Sequence, residues 1–379
     1  MDPPTMEPTM TKLQELYSRF GQSPWLDNLK RHWITGSALQ QWVDQGVRGV
    51  TSNPTTFQKA VSAGHEYDEE FAGLVGRGTT IEDSYWVMVQ TDIEGALRIL
   101  RPVHDSSDGV DGFVSVELSP ALARDTDGSV LDARRLHELI DEPNLFVKIP
   151  GTAEGLPAIA TMIGEGRSIN VTLLFGLQRY AEVIEAYMTG LESLAAAGRD
   201  LSRVRSVASF FVSRVDAEVD RRLEEIGSEA ALQLRGRAAV ANARLAYQLF
   251  RDSFRGQRWE RLRSQGAHVQ RPLWASTSTK DPAYPDTLYI DSLVGPDTVS
   301  TMPEATLDAV ENHGVLTRTL DADVDGARQV FDELHQVGVD MEHVATTLEN
   351  QGVAAFAESY DDLLRTLEGK SHQLQAQER

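Results

Sequence analysis

Eight short apolar runs rich in β-branched and aromatic residues punctuate the first 302 positions, each bounded by turn residues. They are WLDNL (25–29), VRGVTSN (47–53), GFVSVEL (112–118), LFVKIP (145–150), SINVTLLF (168–175), SVASFFV (206–212), RPLWAST (271–277) and DTVSTM (297–302). Their length and composition predict strands. Between them lie segments with helical spacing of apolar positions, at 35–45, 58–76, 79–102, 132–141, 153–164, 177–196, 214–254 and 287–294. Strict strand–helix alternation implies a parallel sheet. Eight strands in about 280 residues match the count and size of a (β/α)8 barrel of the TIM type, with a doubly wound open sheet as the competing architecture.

The interval between the second and third runs is long enough for two helices, one of them IEDSYWVMVQTDIEGALRIL. The 214–254 segment exceeds a single barrel helix. After residue 303 only helical patterns follow, and these are expected to pack on the barrel exterior. The expected division is a catalytic barrel over 1–310 and a C-terminal helical extension over 311–379. The opening MDPPTMEPTM and the closing KSHQLQAQER are read as frayed ends.

One position breaks the apolar pattern. Lys148 sits inside LFVKIP, between Val147 and Ile149. Side chains alternate across a strand, so Lys148 shares a face with Phe146. Val147 and Ile149 suit the layer that meets the helices, which turns Lys148 into the barrel near its C-terminal mouth, where barrel enzymes keep their chemistry. Equivalent places on other strands are also polar: Asp27, Asn53, Glu117, Thr172 with Asn170 before it, Ser209 and Ser276. A lone strand-end Asn or Ser is usually a turn or cap residue, and a Lys–Glu pair can be purely structural. One polar group on nearly every strand end is harder to assign to turn chemistry. A buried lysine among few charges holds its proton poorly; bringing it from ~10.4 to ~7 costs about 4–5 kcal/mol. A neutral amine is useful for attack on a carbonyl, giving a Schiff base.

Composition narrows the chemistry. The 379 residues include 36 basic and 57 acidic side chains, for a net charge of −21, which disfavours nucleic acid as a partner. There is no cysteine, so disulfides and thiolate catalysis are excluded. No apolar run approaches the ~20 residues of a membrane span, and the start lacks the features of a secretory signal. These readings favour a soluble cytoplasmic protein. The nine histidines show no HxH or HExxH spacing, and no Walker-type or three-glycine dinucleotide loop occurs.

The stretches GVTSNPTTF (49–57), VSVELSP (114–120), LFVKIPGTAEGLPAI (145–159), INVTLLFG (169–176), SFFVSRVD (209–216) and LWASTSTKDPAY (273–284) together resemble the transaldolase family, in its longer bacterial and plant-type branch. The resemblance implies that Lys148 is the Schiff-base lysine and Asp27 the general acid/base. Glu117 and Thr172 would hold a water that carries protons to and from the imine. Asn53 and Ser209 would bind dihydroxyacetone hydroxyls, with Asn170 and Ser276 in the same substrate set. Arg214 would clamp phosphate, beside a helix opening near Ser213. Shorter members carry an arginine two places after the seventh-strand serine; here that place is Ser278, and Lys280 is the expected substitute. The implied substrates are sugar phosphates, with no cofactor and no metal. A Schiff-base aldolase releasing free dihydroxyacetone shares nearly all of these residues, and a non-catalytic sugar-phosphate sensor is a third reading. The oligomeric state is not legible.

Overall fold

The computed structural model describes residues 10–377. Of the two expected frayed ends, residues 1–9 lie outside the described residues, whereas most of KSHQLQAQER continues the last helix, Met341–Gln377. That helix is long and its final turns extend a pattern already anchored upstream by Leu363 and Leu367, both fully buried. Among the described residues, no helix is long and apolar enough to cross a membrane.

Eight parallel strands close into a barrel in chain order: β1 Gln22–Asp27, β2 Gly49–Thr51, β3 Phe113–Glu117, β4 Leu145–Pro150, β5 Ile169–Leu174, β6 Ser206–Phe211, β7 Gln270–Ala275 and β8 Thr298–Met302. The open-sheet alternative is thereby excluded. β4 has the bounds expected of it, while β1 starts three residues earlier than its apolar run, because Gln22 and Ser23 find buried polar partners. Gln22 Nε2 donates to the Leu293 carbonyl and to Thr298 Oγ1, and Ser23 Oγ donates to Asp111. β2 is shorter than expected, so Asn53 lies two residues past its end, and Ser276 likewise follows the end of β7.

The helical segments divide more finely than their patterns suggested. The β2–β3 connection holds three helices, Pro54–Ala63, Asp68–Gly76 and Ile81–Ser106, and the 214–254 segment resolves into Ser213–Ile226, Glu229–Leu232 and Ala238–Ser253. A helix at Lys12–Phe20 was not anticipated. Its signal was present: Thr11 and Gln14 form a reciprocal cap, and Gly21 ends it with φ 68°.

Inside the barrel an aromatic layer lies beneath the strand ends. Phe113 stacks on Phe146 with ring centroids 4.0 Å apart, and Trp25 flanks Phe146 at 6.1 Å. These residues stand two or four positions before Asp27, Glu117 and Lys148 and so share their inward face. Gly49 is required where it is: a Cβ there would lie 2.3 Å from the Trp25 ring. Further down, the fully buried Asp111 accepts hydrogen bonds from Trp25 Nε1 (3.3 Å), Arg48 Nε (2.9 Å) and Arg271 (2.9 Å). Burial pushes its carboxyl up, and Arg271 and Arg48 more than reverse this, leaving it below the ordinary carboxylate range. The lower end of the barrel is thus closed by rings and paired charge, and the upper end is left open.

Two of the later helices bear on that open end. Val324–Gln336 packs on Ala238–Ser253, on the outside. Met341–Gln377 instead runs over the mouth, against the helix Pro54–Ala63, β5 and the helix Ser213–Ile226. It comes so close to β5 that a Cβ on Gly352 would sit 2.9 Å from Leu173, which itself has φ 61° at an irregularity in the β5–β6 register.

Candidate active site

β3, β4 and β5 set the centre of the site by register alone. Glu117 pairs with Lys148 across one strand interface and Lys148 with Asn170 across the next. The Lys148 amine donates to Glu117 Oε2 at 3.0 Å and to the Ser52 carbonyl at 3.1 Å, with Lys148 only 5% and Glu117 7% exposed. The few-charges surroundings expected of this lysine are therefore not what it meets, because a carboxylate on the adjacent strand is in contact with it. Burial raises the Glu117 carboxyl despite Lys148, so this oxygen holds a proton more readily than an exposed glutamate would.

Above the pair lies a cavity of about 270 Å³. Asp27, Asn53, Lys148, Thr172, Ser209, Arg214, Ser276 and Lys280 all line it. Eight of the ten residues expected from the sequence are thus gathered on one space. Glu117 touches Lys148 from behind and lines a small separate cavity of about 30 Å³, the room of roughly one water. Asn170 is fully buried, with both ends of its amide engaged: Nδ2 donates to Ser115 Oγ at 3.0 Å, and Oδ1 accepts from Ser209 Oγ at 2.7 Å. It lies directly beneath Ser209 rather than on the cavity wall.

Asp27 is held by Thr51, whose Oγ1 donates to it at 3.0 Å and also meets Thr301 Oγ1 at 2.9 Å. Burial pushes the Asp27 carboxyl above its ordinary range, against the pull of Lys148 and the Thr51 hydrogen bond. Thr172 Oγ1 is buried and has no hydrogen-bond partner among the described residues. Ser276, at φ 56°, turns its hydroxyl to Ser213 Oγ at 2.9 Å, at the start of the helix Ser213–Ile226.

The cations occupy the outer part. Burial lowers the Arg214 guanidinium, with Asp27 opposing, and lowers the Lys280 amine, with Arg214 adding to the effect. Arg214 stands over the Phe211 ring at 5.5 Å, while Lys280 Nζ donates to Ser278 Oγ at 3.1 Å. Two like charges are thus desolvated near one another.

Several lining residues escaped the sequence reading. Thr51 stands two residues before Asn53 and could have been found by period-2 counting, whereas β8, which carries Thr301, offered no candidate to count from. Phe211 lies two residues after Ser209 on the same face. Lys59 and Phe356 line the same cavity but come from helices, outside any strand-end pattern.

The comparisons with known proteins point to one family. The family described as Transaldolase/Fructose-6-phosphate aldolase matches residues 24–367. A transaldolase of Thermobifida fusca (strain YX) is 51% identical over 354 residues, covering 93% of this chain and 96% of the relative. Transaldolases of Mycolicibacterium paratuberculosis (50% identical) and Mycobacterium tuberculosis strain H37Rv (49%) each cover 92% of this chain and 94% of their own length. With Lys148, Glu117 and Asp27 gathered at the mouth of a closed eight-stranded barrel, and similarity running through nearly the whole length, the chain belongs to the transaldolase/fructose-6-phosphate aldolase family.

Proposed function

We propose that the protein transfers a dihydroxyacetone unit from sedoheptulose 7-phosphate to glyceraldehyde 3-phosphate, giving erythrose 4-phosphate and fructose 6-phosphate. The observation that carries this reading is the buried Lys148 amine in contact with Glu117, opening onto the cavity that Asp27 shares.

Lys148 attacks the ketose C2 carbonyl and water leaves, forming an imine. Glu117 stands where it takes the proton the amine sheds, and its raised affinity for a proton suits it to that exchange. The orphaned Thr172 hydroxyl supplies the other hydrogen bond to the water that shuttles protons at the imine nitrogen. Asp27 removes the proton from the C4 hydroxyl. The C3–C4 bond then breaks, its electron pair flows into the protonated imine, and erythrose 4-phosphate departs. The enamine left on Lys148 attacks the incoming aldehyde, Asp27 returns its proton, and hydrolysis frees the new ketose. Asn53, Ser209 and Ser276 bind sugar hydroxyls, with Asn170 fixing the Ser209 rotamer through its 2.7 Å hydrogen bond. Arg214 and Lys280 receive the phosphate, Lys280 serving where Ser278 replaces arginine. All partners on this reading are small sugar phosphates of the cytoplasm, with no role for nucleic acid or membrane.

Borohydride reduction in the presence of fructose 6-phosphate is expected to lock substrate carbon onto Lys148, and Lys148→Ala should abolish both trapping and turnover. Turnover retained by that variant would overturn the scheme. The second reading, release of free dihydroxyacetone, is favoured by the breadth of the matching family, whose description includes an aldolase. Measuring dihydroxyacetone formed from fructose 6-phosphate with no acceptor present separates the two.

A further inference from the structure

Surface arginines of this acidic chain are commonly compensated. Arg258 binds Glu185 and Glu192, Arg221 binds Glu218 and Glu225, and Arg134 binds Glu165. The cavity gathers cations without that compensation among the described residues. Arg214, Lys280 and Lys59 all line it, and among the described residues none of the three makes an ion pair with a carboxylate. The acid that faces them is Asp27, and the nearby Glu117 is engaged by Lys148. Three cations against one free carboxylate leave a surplus that matches a phosphate ester dianion.

The third cation has a defined place. Lys59 lies on the helix Pro54–Ala63, one turn after Thr55, and residues four apart share a helix face. Both line the cavity. Thr55 Oγ1 donates to Ser359 Oγ at 2.8 Å, which ties this face to the C-terminal helix. Lys59 is exposed, lines the same cavity as Lys280, and lowers the Lys280 amine by repulsion. Lys59 also lines an outer cleft of about 550 Å³, with Asp27, Lys30 and His32. There Lys30 is engaged by Glu304 (3.1 Å) and His32 by Glu66 (2.8 Å), so Lys59 is the cation of that group without a carboxylate partner among the described residues. It thus lines both the inner cavity and the outer cleft.

We propose that Lys59 is a specificity-determining residue of this reaction, a third cation that binds the terminal phosphate of the sugar substrates at the rim of the site. The inference rests on the transfer reaction above. Lys59→Met keeps the apolar stem and removes the charge. The expected result is a KM for glyceraldehyde 3-phosphate, and a competitive inhibition constant for inorganic phosphate, that rise together by about fivefold, the size of one solvent-screened charge pair. kcat should fall by less than about twofold, as for uniform binding energy. The KM for unphosphorylated glyceraldehyde should not move, and Lys59→Arg should restore the phosphate terms. If Lys59→Met leaves both phosphate constants at wild-type values while the wild-type enzyme is trapped by borohydride, the Lys59 assignment is wrong and the transfer reaction stands. If the wild-type protein is neither trapped nor inhibited by phosphate, both fall together.

Discussion

The Lys148–Glu117 pair permits a thermodynamic test independent of turnover. Glu117→Leu removes the carboxylate and leaves the amine with the Ser52 carbonyl at 3.1 Å. Stripping one partner from a buried ion pair costs about 3–5 kcal/mol. Lys148→Met is the converse. Glu117 can then neutralise by taking a proton, and from an ordinary ~4.3 this costs at most about 3–4 kcal/mol at pH 7. Burial that already raises its proton affinity sets the direction of that escape. The double variant Lys148→Met with Glu117→Leu leaves no charge behind, and apolar replacement of a buried pair is neutral or stabilising by about 1–4 kcal/mol. Urea unfolding midpoints of the wild type, both single variants and the double variant close the cycle. A coupling of several kcal/mol is expected, with each single variant less stable than the double. Additivity within about 0.5 kcal/mol would mean that the two groups are not a desolvated pair, and the account of the site would fail with it.

Asp27→Asn should cut kcat by about 10²- to 10⁴-fold while borohydride trapping of fructose 6-phosphate persists, because imine formation does not use this carboxylate. Since Asp27 must be ionised to act and burial raises its proton affinity, the acid limb of kcat/KM should lie above the ordinary carboxylate range; a limb at or below pH 4 would count against the assignment. His137 offers a stability test away from the site: burial and Arg167 push it down to about 4, so its contribution to stability is full above 6.5 and is lost as pH falls from 6.5 towards 4. At roughly 1.4 kcal/mol per pH unit this amounts to about 3 kcal/mol, and His137→Leu should flatten the acid loss by that amount relative to wild type, as read by urea titration at several pH values. Asp216, raised to about 6 chiefly by burial, works in the opposite sense over the same range, so the comparison is made between variant and wild type rather than on either curve alone. Phe356→Ala should open the cavity wall to water and raise dihydroxyacetone release without acceptor relative to transfer; an unchanged ratio would show that this ring does not guard the enamine.

Strand order, closure and the inward direction of Lys148 were legible because they depend on local alternation. LFVKIP carries its own boundaries, and Asp27, Glu117 and Lys148 each sit an even number of residues from a buried aromatic on the same strand. What could not be read depends on partners far away in sequence. Gln22 and Ser23 look like turn residues until Thr298 and Asp111 are seen to receive them. Asn170 looks like a ligand for substrate until Ser115 and Ser209 are found on its two ends. The Glu117 contact, which gives Lys148 a carboxylate partner, follows from strand register, and no single strand reveals that. Lys59 is one lysine in an amphipathic segment, and its unmatched charge becomes visible only beside Arg214 and Lys280.

Phe356 belongs to the final helix, yet it shares a wall with Asn53, some three hundred positions earlier. During synthesis the barrel strands, the lysine and the acids are all in place before that ring leaves the ribosome. A chain made only as far as β8 can therefore fold its scaffold while its reaction chamber still lacks this wall, and competence waits on a helix made after every strand. The same geometry makes this helix a poor place to attach a rigid partner, since anything that pulls on it pulls on a wall of the cavity.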